Sequence, residues 1–390
     1  MRRPGKRWHV PLWALLIVAT ALGWIPPGGA SLAGPEPESG QAPSPALVWP
    51  LPPAQPRIRF VRTLRGSEDY RKPRSRLRRL LIGPQRKRGV SLRKPYGVTV
   101  DKQGRIYVTD TGNGRIVVFD EAAQKVRHLK IDPRVRLITP IGIAVDDRQR
   151  VYVSDAKLDQ VFRIAPGGAV EWAIGPVEGL RNPTGIALDA GRSRLYVADS
   201  HLHRIFVYDA ETGRHLETWG HRGNSDGAFN FPTNLTLDAL GNLWVVDTGN
   251  FRVQQFSPAG RHLQTVGGLG DAPGSFTRPK GIAIDPEGHV YVVDAAFNNF
   301  QVFNGQGRLL LAVGTLGRSA GSFWLPAGMH IDAKGRIYVV DQVNRRVQVF
   351  EYLPQRGADR PRQAAMVEIQ PTSSGSEREG EEPDSNRDSS

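Results

Sequence analysis

Short apolar runs closed by an aspartate recur along most of the chain. Ile106-Tyr107-Val108-Thr109-Asp110 is followed at nearly even spacing by runs ending at Asp155, Asp199, Asp247, Asp294 and Asp341, 44 to 48 residues apart. Each run lies downstream of a Pro-x-Gly or Pro-x-Asn step: Pro95/Gly97, Pro140/Gly142, Pro183/Gly185, Pro232/Asn234, Pro279/Gly281 and Pro326/Gly328. Within one unit the order is an apolar strand to Asp285, a turn at 286–288, a second strand Val290-Tyr291-Val292-Val293, the alternating Phe300-Gln301-Val302-Phe303, a Gly-bearing turn and Leu309 to Val313. That is a four-stranded antiparallel meander, and strands repeating every ~40–50 residues are the periodicity of propeller blades. The second strands are almost continuously apolar because a blade packs a neighbour on both faces. Tyr107, Tyr152, Tyr196, Trp244, Tyr291 and Tyr338 share one position there and are expected to pack between blades.

Six units with Asp ending the second strand, and Asn and Arg in the loop that follows (Asn113 and Arg115, Asn250 and Arg252, Asn344 and Arg346), resemble the NHL-repeat family from Lys94 to about Phe350. Copies two, three and five keep only part of the loop signature. Asp101, Asp238, Asp285 and Asp332 each precede a Gly by three residues, the arrangement in which Asp caps its own hairpin turn. The recurring carboxylates are therefore read as turn and loop caps, not metal ligands. The sixth unit stops at Phe350 without a fourth strand, whereas 57–64 alternates apolar and polar positions upstream of the first unit. The expected fold is all-β: a six-bladed propeller of four-stranded antiparallel blades over 95–353, its ring closed by the N-terminal strand 57–64, which hides the sheet edges.

Composition changes the picture outside the ring. Arg2, Arg3, Lys6 and Arg7 precede the apolar run Val10 to Ile25, and small residues follow, so 1–33 reads as a signal peptide or N-terminal anchor. The expected location is extracytoplasmic, periplasmic or secreted, and membrane-anchored if the segment is not cleaved. The Arg-flanked run into Pro95-Tyr96-Gly97-Val98 is similar to exported bacterial propellers of this family. Residues 34–56 read as a Pro/Ala/Gly-rich linker and 354–390 as a disordered polar tail. The chain has no cysteine, which excludes disulfides and thiol catalysis. Its net charge is +14, yet 95–350 holds 28 basic and 25 acidic groups, whereas 57–94 holds 15 and 2. Most of that excess lies in an arm, 65–94, where Ser75 to Gly83 predicts a short basic amphipathic helix with Leu77, Leu80 and Leu81 on one face. The arm is either a plug over the ring or a docking element for an anionic lipid, acidic protein or polyanionic glycan, carried by Arg76, Arg78, Arg79, Arg86, Lys87 and Arg88.

An amidating lyase related to the NHL family holds zinc through histidines between the Pro and Gly of three repeats. The matching positions here are Tyr96, Ile141, Thr184, Thr233, Lys280 and Ala327, none of them His. Zinc needs convergent imidazoles, so these positions, with Asn234, are read as cavity-lining binding candidates and not as metal ligands. His201 and His203 are expected on an exposed loop, and His330 as a packed residue of an innermost strand. A calcium-dependent lactonase-type propeller needs Glu, Asn and Asp converging at the pore, which Asn234 alone does not supply. No nucleophile elbow, phosphate-binding loop or His-Glu-x-x-His pair occurs. No catalytic residue, metal or cofactor is therefore expected. The reading is a non-enzymatic, monomeric, exported propeller that acts as a binding or scaffold module for an envelope protein, an anionic envelope polymer or a membrane surface. The alternatives are a lyase- or hydrolase-type propeller enzyme with an unrecognised cavity site and, disfavoured by the neutral ring, a nucleic-acid-binding propeller.

Overall fold

A computed structural model describes residues 46–70, 89–176 and 179–354. The segment 1–33, residues 34–45, the tail from 355 and the helix expected in the arm, with Arg76, Arg78, Arg79, Arg86, Lys87 and Arg88, lie outside the described residues.

Each repeat folds in its sequence order. In the fifth blade Pro279–Ile284, Val290–Asp294, Asn299–Phe303 and Leu309–Val313 pair as one antiparallel meander. The six innermost strands, Pro95–Val100, Pro140–Val145, Pro183–Asp189, Pro232–Leu237, Pro279–Ile284 and Pro326–Ile331, surround the axis. All begin on one face, here the front face, to which the second strands return with their terminal aspartates. The glycine two residues after the leading proline in five of the six blades, Asn234 standing in the fourth, allows neighbouring innermost strands to approach. A Cβ at Gly97 would lie 2.3 Å from the Ile141 carbonyl oxygen, and one at Gly281 2.3 Å from that of Ala327.

The sixth blade is closed from both chain ends as expected. Ile58–Leu64 pairs antiparallel with Arg346–Tyr352, matching Leu64 to Val347 and Ile58 to Tyr352. A strand within the expected linker was not foreseen: Val48–Trp49 pairs with Arg59 and Ile58 and makes this sheet five-stranded. Its prolines hid a two-residue apolar pair, whose Trp49 stands edge-on to Phe350 with centroids 5.7 Å apart. The extra strand covers the outer edge of the closing segment.

The core is divided among the seams between blades. Tyr107 packs with Ile143, Val151 and Val153 of the second blade, and Tyr338 with Val98 and Ile106 of the first. The six residues of this set are at most 3% exposed, as inter-blade packing requires. The hydroxyls of Tyr107, Tyr291 and Tyr338 each donate to the hairpin carboxylates of Asp101, Asp285 and Asp332 at 3.0 Å, and Trp244 Nε1 donates to Asp238 at 3.0 Å. The same carboxylates accept turn N–H groups, as from Gln103 and Arg105 to Asp101. Two repeated positions thus form one device: the aromatic body fills the seam and its polar end fixes the hairpin.

Candidate functional site at the channel mouth

The aspartates that end the second strands are fully buried, and their oxygens are spent on the loops of the front face. Asp110 accepts the N–H groups of Arg93 and Lys94 at 2.9 and 2.8 Å, and Asp294 those of Thr277 and Arg278 at 2.8 and 3.0 Å. Asp155 and Asp199 hold the equivalent pairs Ile138/Thr139 and Arg181/Asn182. In the fourth and sixth blades the aspartate holds one such amide, from Asn230 or Trp324. The next amide crosses to the preceding blade: Phe231 donates to His203 Nδ1 at 3.0 Å and Leu325 to Asn298 Oδ1 at 2.9 Å. These two blades carry the full Asn–Arg signature, with Arg252 and Arg346 Nε at 3.0 and 2.7 Å from Asp247 and Asp341. In the first blade Asn113 reaches Asp110, but Arg115 is exposed. His203 is therefore not an exposed loop residue: it is buried, and burial together with Arg222 lowers its pKa, which suits a neutral acceptor. Among the described residues no group of three or more His, Asp or Glu is placed to hold a metal ion.

The residues between leading proline and glycine follow two courses. Tyr96, Ile141, Lys280 and Ala327 line a cavity of about 300 Å³ at the front end of the axis, formed by the fifth, sixth, first and second blades. Lys94 and Arg278 line it too, and among the described residues no carboxylate does. Burial, with a smaller contribution from Arg278, pushes the Lys280 ammonium down to about 8; burial raises the Tyr96 hydroxyl. Behind this mouth the channel widens into a cavity of about 350 Å³ that shares Tyr96 and Ile141 and includes Asn234 and His330. Asn234 Oδ1 accepts the N–H of Leu235 at 2.9 Å, and burial pushes His330 down to about 4, leaving it neutral.

Thr184 and Thr233 correct the expectation, for they line neither cavity. Thr184 Oγ1 lies 3.1 Å from Ser200 Oγ and 3.2 Å from the Ala198 carbonyl oxygen, and Thr233 Oγ1 lies 2.6 Å from Thr248 Oγ1. Their partners continue across the seam: Ser200 donates to the Pro232 carbonyl, and Thr248 to that of Pro279 at 2.8 Å. Thr109 and Ser154 tie the two preceding seams, donating to the carbonyls of Ile141 and Thr184. A hydroxyl so placed closes the wall. Lys94 and Arg278, which the sequence reading missed, flank the leading prolines in Lys94-Pro95-Tyr96 and Arg278-Pro279-Lys280. That flanking position is the signal that could have found them.

Residues 92–119 and 276–303 match the NHL repeat, and 155–269 match the SMP-30/Gluconolactonase/LRE-like region. NHL repeat-containing protein 2 of Bos taurus is 34% identical over 99 residues, 21% of this chain and 14% of that protein. NHL repeat-containing protein 3 of Mus musculus is 35% identical over 68 residues, 17% of this chain and 20% of that protein. The matched stretches thus span a fifth or less of these relatives. Among solved structures, a streptogramin B lyase superposes with a TM-score of 0.51 at 13% identity, covering 68% of this chain and 96% of the other. An auxiliary nutrient binding protein from Bacteroides thetaiotaomicron superposes at 0.53 and 14% identity, covering 67% and 69%. The chain is a six-bladed propeller with stretches that match the NHL repeat and the SMP-30/Gluconolactonase/LRE-like region, and similar rings occur in a lyase and in a binding protein, so the fold does not choose between them. Asn234 lies within the gluconolactonase-like stretch, but no glutamate lines either cavity.

Proposed function

We propose that this propeller is a binding module that seats an anionic group of its partner in the front mouth of its channel, the partner being a carboxylate-bearing envelope polymer. One observation carries the reading: Lys94, Arg278 and Lys280 share the mouth cavity, and among the described residues no carboxylate lines it. Lys280 is partly drawn out of water without a counter-charge, which is costly, while Lys94 and Arg278 stay exposed beside it; an incoming carboxylate offsets that cost with charge-assisted hydrogen bonds. The lowered pKa of Lys280 reports the missing partner, since a paired ammonium would be pushed the other way. The leader-like segment 1–33 supports placing this binding outside the cytoplasm, and the excess charge of 57–94 extends the same attraction beyond the mouth.

Titration calorimetry of the full chain with an oligouronate, and with its neutral counterpart, tests this. Only the charged oligosaccharide should bind, with affinity falling steeply between about 0.05 and 0.5 M salt as screening shortens the reach of the charges. Arg278→Gln combined with Lys280→Met should weaken it about tenfold or more. Equal binding of the neutral sugar, or full affinity in the double variant, would overturn the reading.

A further inference from the structure

We propose that Lys280 is a covalent capture point for small 2-oxo acids: the carboxylate seats against Arg278 and Lys94, and the Lys280 amine forms an imine with the adjacent carbonyl carbon. The inference rests on the anion-binding reading of the same mouth and deepens it. Three observations carry it. Lys280 sits on an innermost strand between Pro279, paired with Asp294, and Ile282, paired with Val292, so the chain is anchored on both sides of it. The groups lining the mouth around it are cationic, phenolic, amide, hydroxyl or apolar: Lys94, Arg278, Tyr96 and Gln342 are the polar side chains besides two threonines, with no carboxylate to hold the amine protonated. The cavity, about 300 Å³, is of a size to enclose an acid of a few carbons.

Protonation state follows from that surrounding. With its pKa pushed down to about 8, Lys280 holds a far larger share of free amine near neutral pH than a lysine near 10.5. A desolvated lysine beside another cation is a recognised way of making an amine nucleophilic. The nitrogen lone pair forms the N–C bond while the carbonyl π pair moves to oxygen. Proton transfer from nitrogen to that oxygen through solvent gives the carbinolamine, and loss of the oxygen as water leaves C=N. Nothing is oxidised or reduced, and the only by-product is water.

The full chain incubated with glyoxylate and sodium cyanoborohydride at pH 7.5 tests the step, because the reagent reduces an imine to a stable secondary amine that peptide mass mapping can place. The expected adduct on Lys280 is about tenfold or more above that on the exposed Lys102 and Lys334. It should fall about tenfold in Arg278→Gln, and a neutral aldehyde such as propionaldehyde, which meets the same free amine but has no carboxylate to seat, should prefer position 280 about tenfold less than glyoxylate does. Adduct spread evenly over the lysines, or equal preference shown by the neutral aldehyde, would sink the proposal. Calorimetry with oxalate, which binds as an anion and forms no imine, separates the two ideas. Oxalate binding without a preferred adduct rejects covalent capture alone, and absence of both rejects the anionic mouth as well.

Discussion

On the third and fourth blades the residue after the leading proline is a threonine, whereas on the fifth and first blades it is Lys280 and Tyr96. Thr184 and Thr233 are short enough to bond hydroxyl neighbours, and Ser200 and Thr248 carry the connection to the next blade's carbonyl. At the seam between the fifth and sixth blades Ala295 stands where Ser200 and Thr248 stand in theirs, and at the next seam Gln342 reaches Pro95 O only at 3.4 Å. The wall is tied on one side and open on the other. The open side is where the cavity and the unpaired cations are found. One repeat position thus contributes either wall or site: a threonine bonded to a hydroxyl of its own blade closes the wall, and a longer side chain opens on the cavity. Departure from local polar satisfaction is itself the mark of a candidate site.

Removing residues 46–64 should have the largest effect. The open side straddles the closing blade, and burial of Ile58 and Leu64 alone is worth about 3–6 kcal/mol. Thermal unfolding of the truncated chain should lose its sharp transition, and anion binding should go with it; an unchanged transition would break the link between closure and mouth. Next comes Thr184→Val, which leaves a buried hydroxyl and carbonyl of the tied side short of partners and should destabilise the ring by about 1–3 kcal/mol in denaturant titration.

Lys280→Met on the open side should act in the opposite sense and raise stability by about 1–2 kcal/mol near neutral pH. The folded pKa of Lys280, about 8, lies below its ordinary 10.5, so the folded chain holds this proton less tightly than the unfolded one. The destabilising contribution is present in full below pH 8 and disappears as pH rises toward 10.5. The advantage of Met over Lys should shrink across that window, and a constant difference would show that the lysine is not strained by burial. The smallest effect is expected from Ala295→Ser, which supplies the missing seam hydroxyl and should add about 0.5–1 kcal/mol while narrowing the mouth. Weaker oxalate binding in that variant would sharpen the comparison; unaltered stability and binding would show that the seam was not open for want of a hydroxyl.

The ring was legible because its signal is repeated six times: an apolar second strand, a terminal aspartate and a leading proline agree in every copy, and the missing fourth strand of the last copy pointed to 57–64. Val48–Trp49 was not legible, since two apolar residues among prolines carry no period. The same limit applies at the mouth. Whether Thr184 faces the channel depends on Ser200, which sequence separates by 16 residues and the fold brings to 3.1 Å. Lys94 and Arg278 look like ordinary loop charges until the loops are seen to converge. His203 was misjudged for a related reason: its partner, the Phe231 amide, belongs to another blade.

The loops that present Lys94, Thr139 and Arg278 are held to the buried aspartates by their main-chain amides, leaving their side chains uncommitted. Any residue other than proline offers the same amide. The front of the ring is therefore a mounting on which side chains are interchangeable: exchanging positions 94, 139 or 278 would alter the chemistry of the mouth without loosening the fixture. A single substitution there would change the charge or shape of the mouth without first having to rebuild the frame.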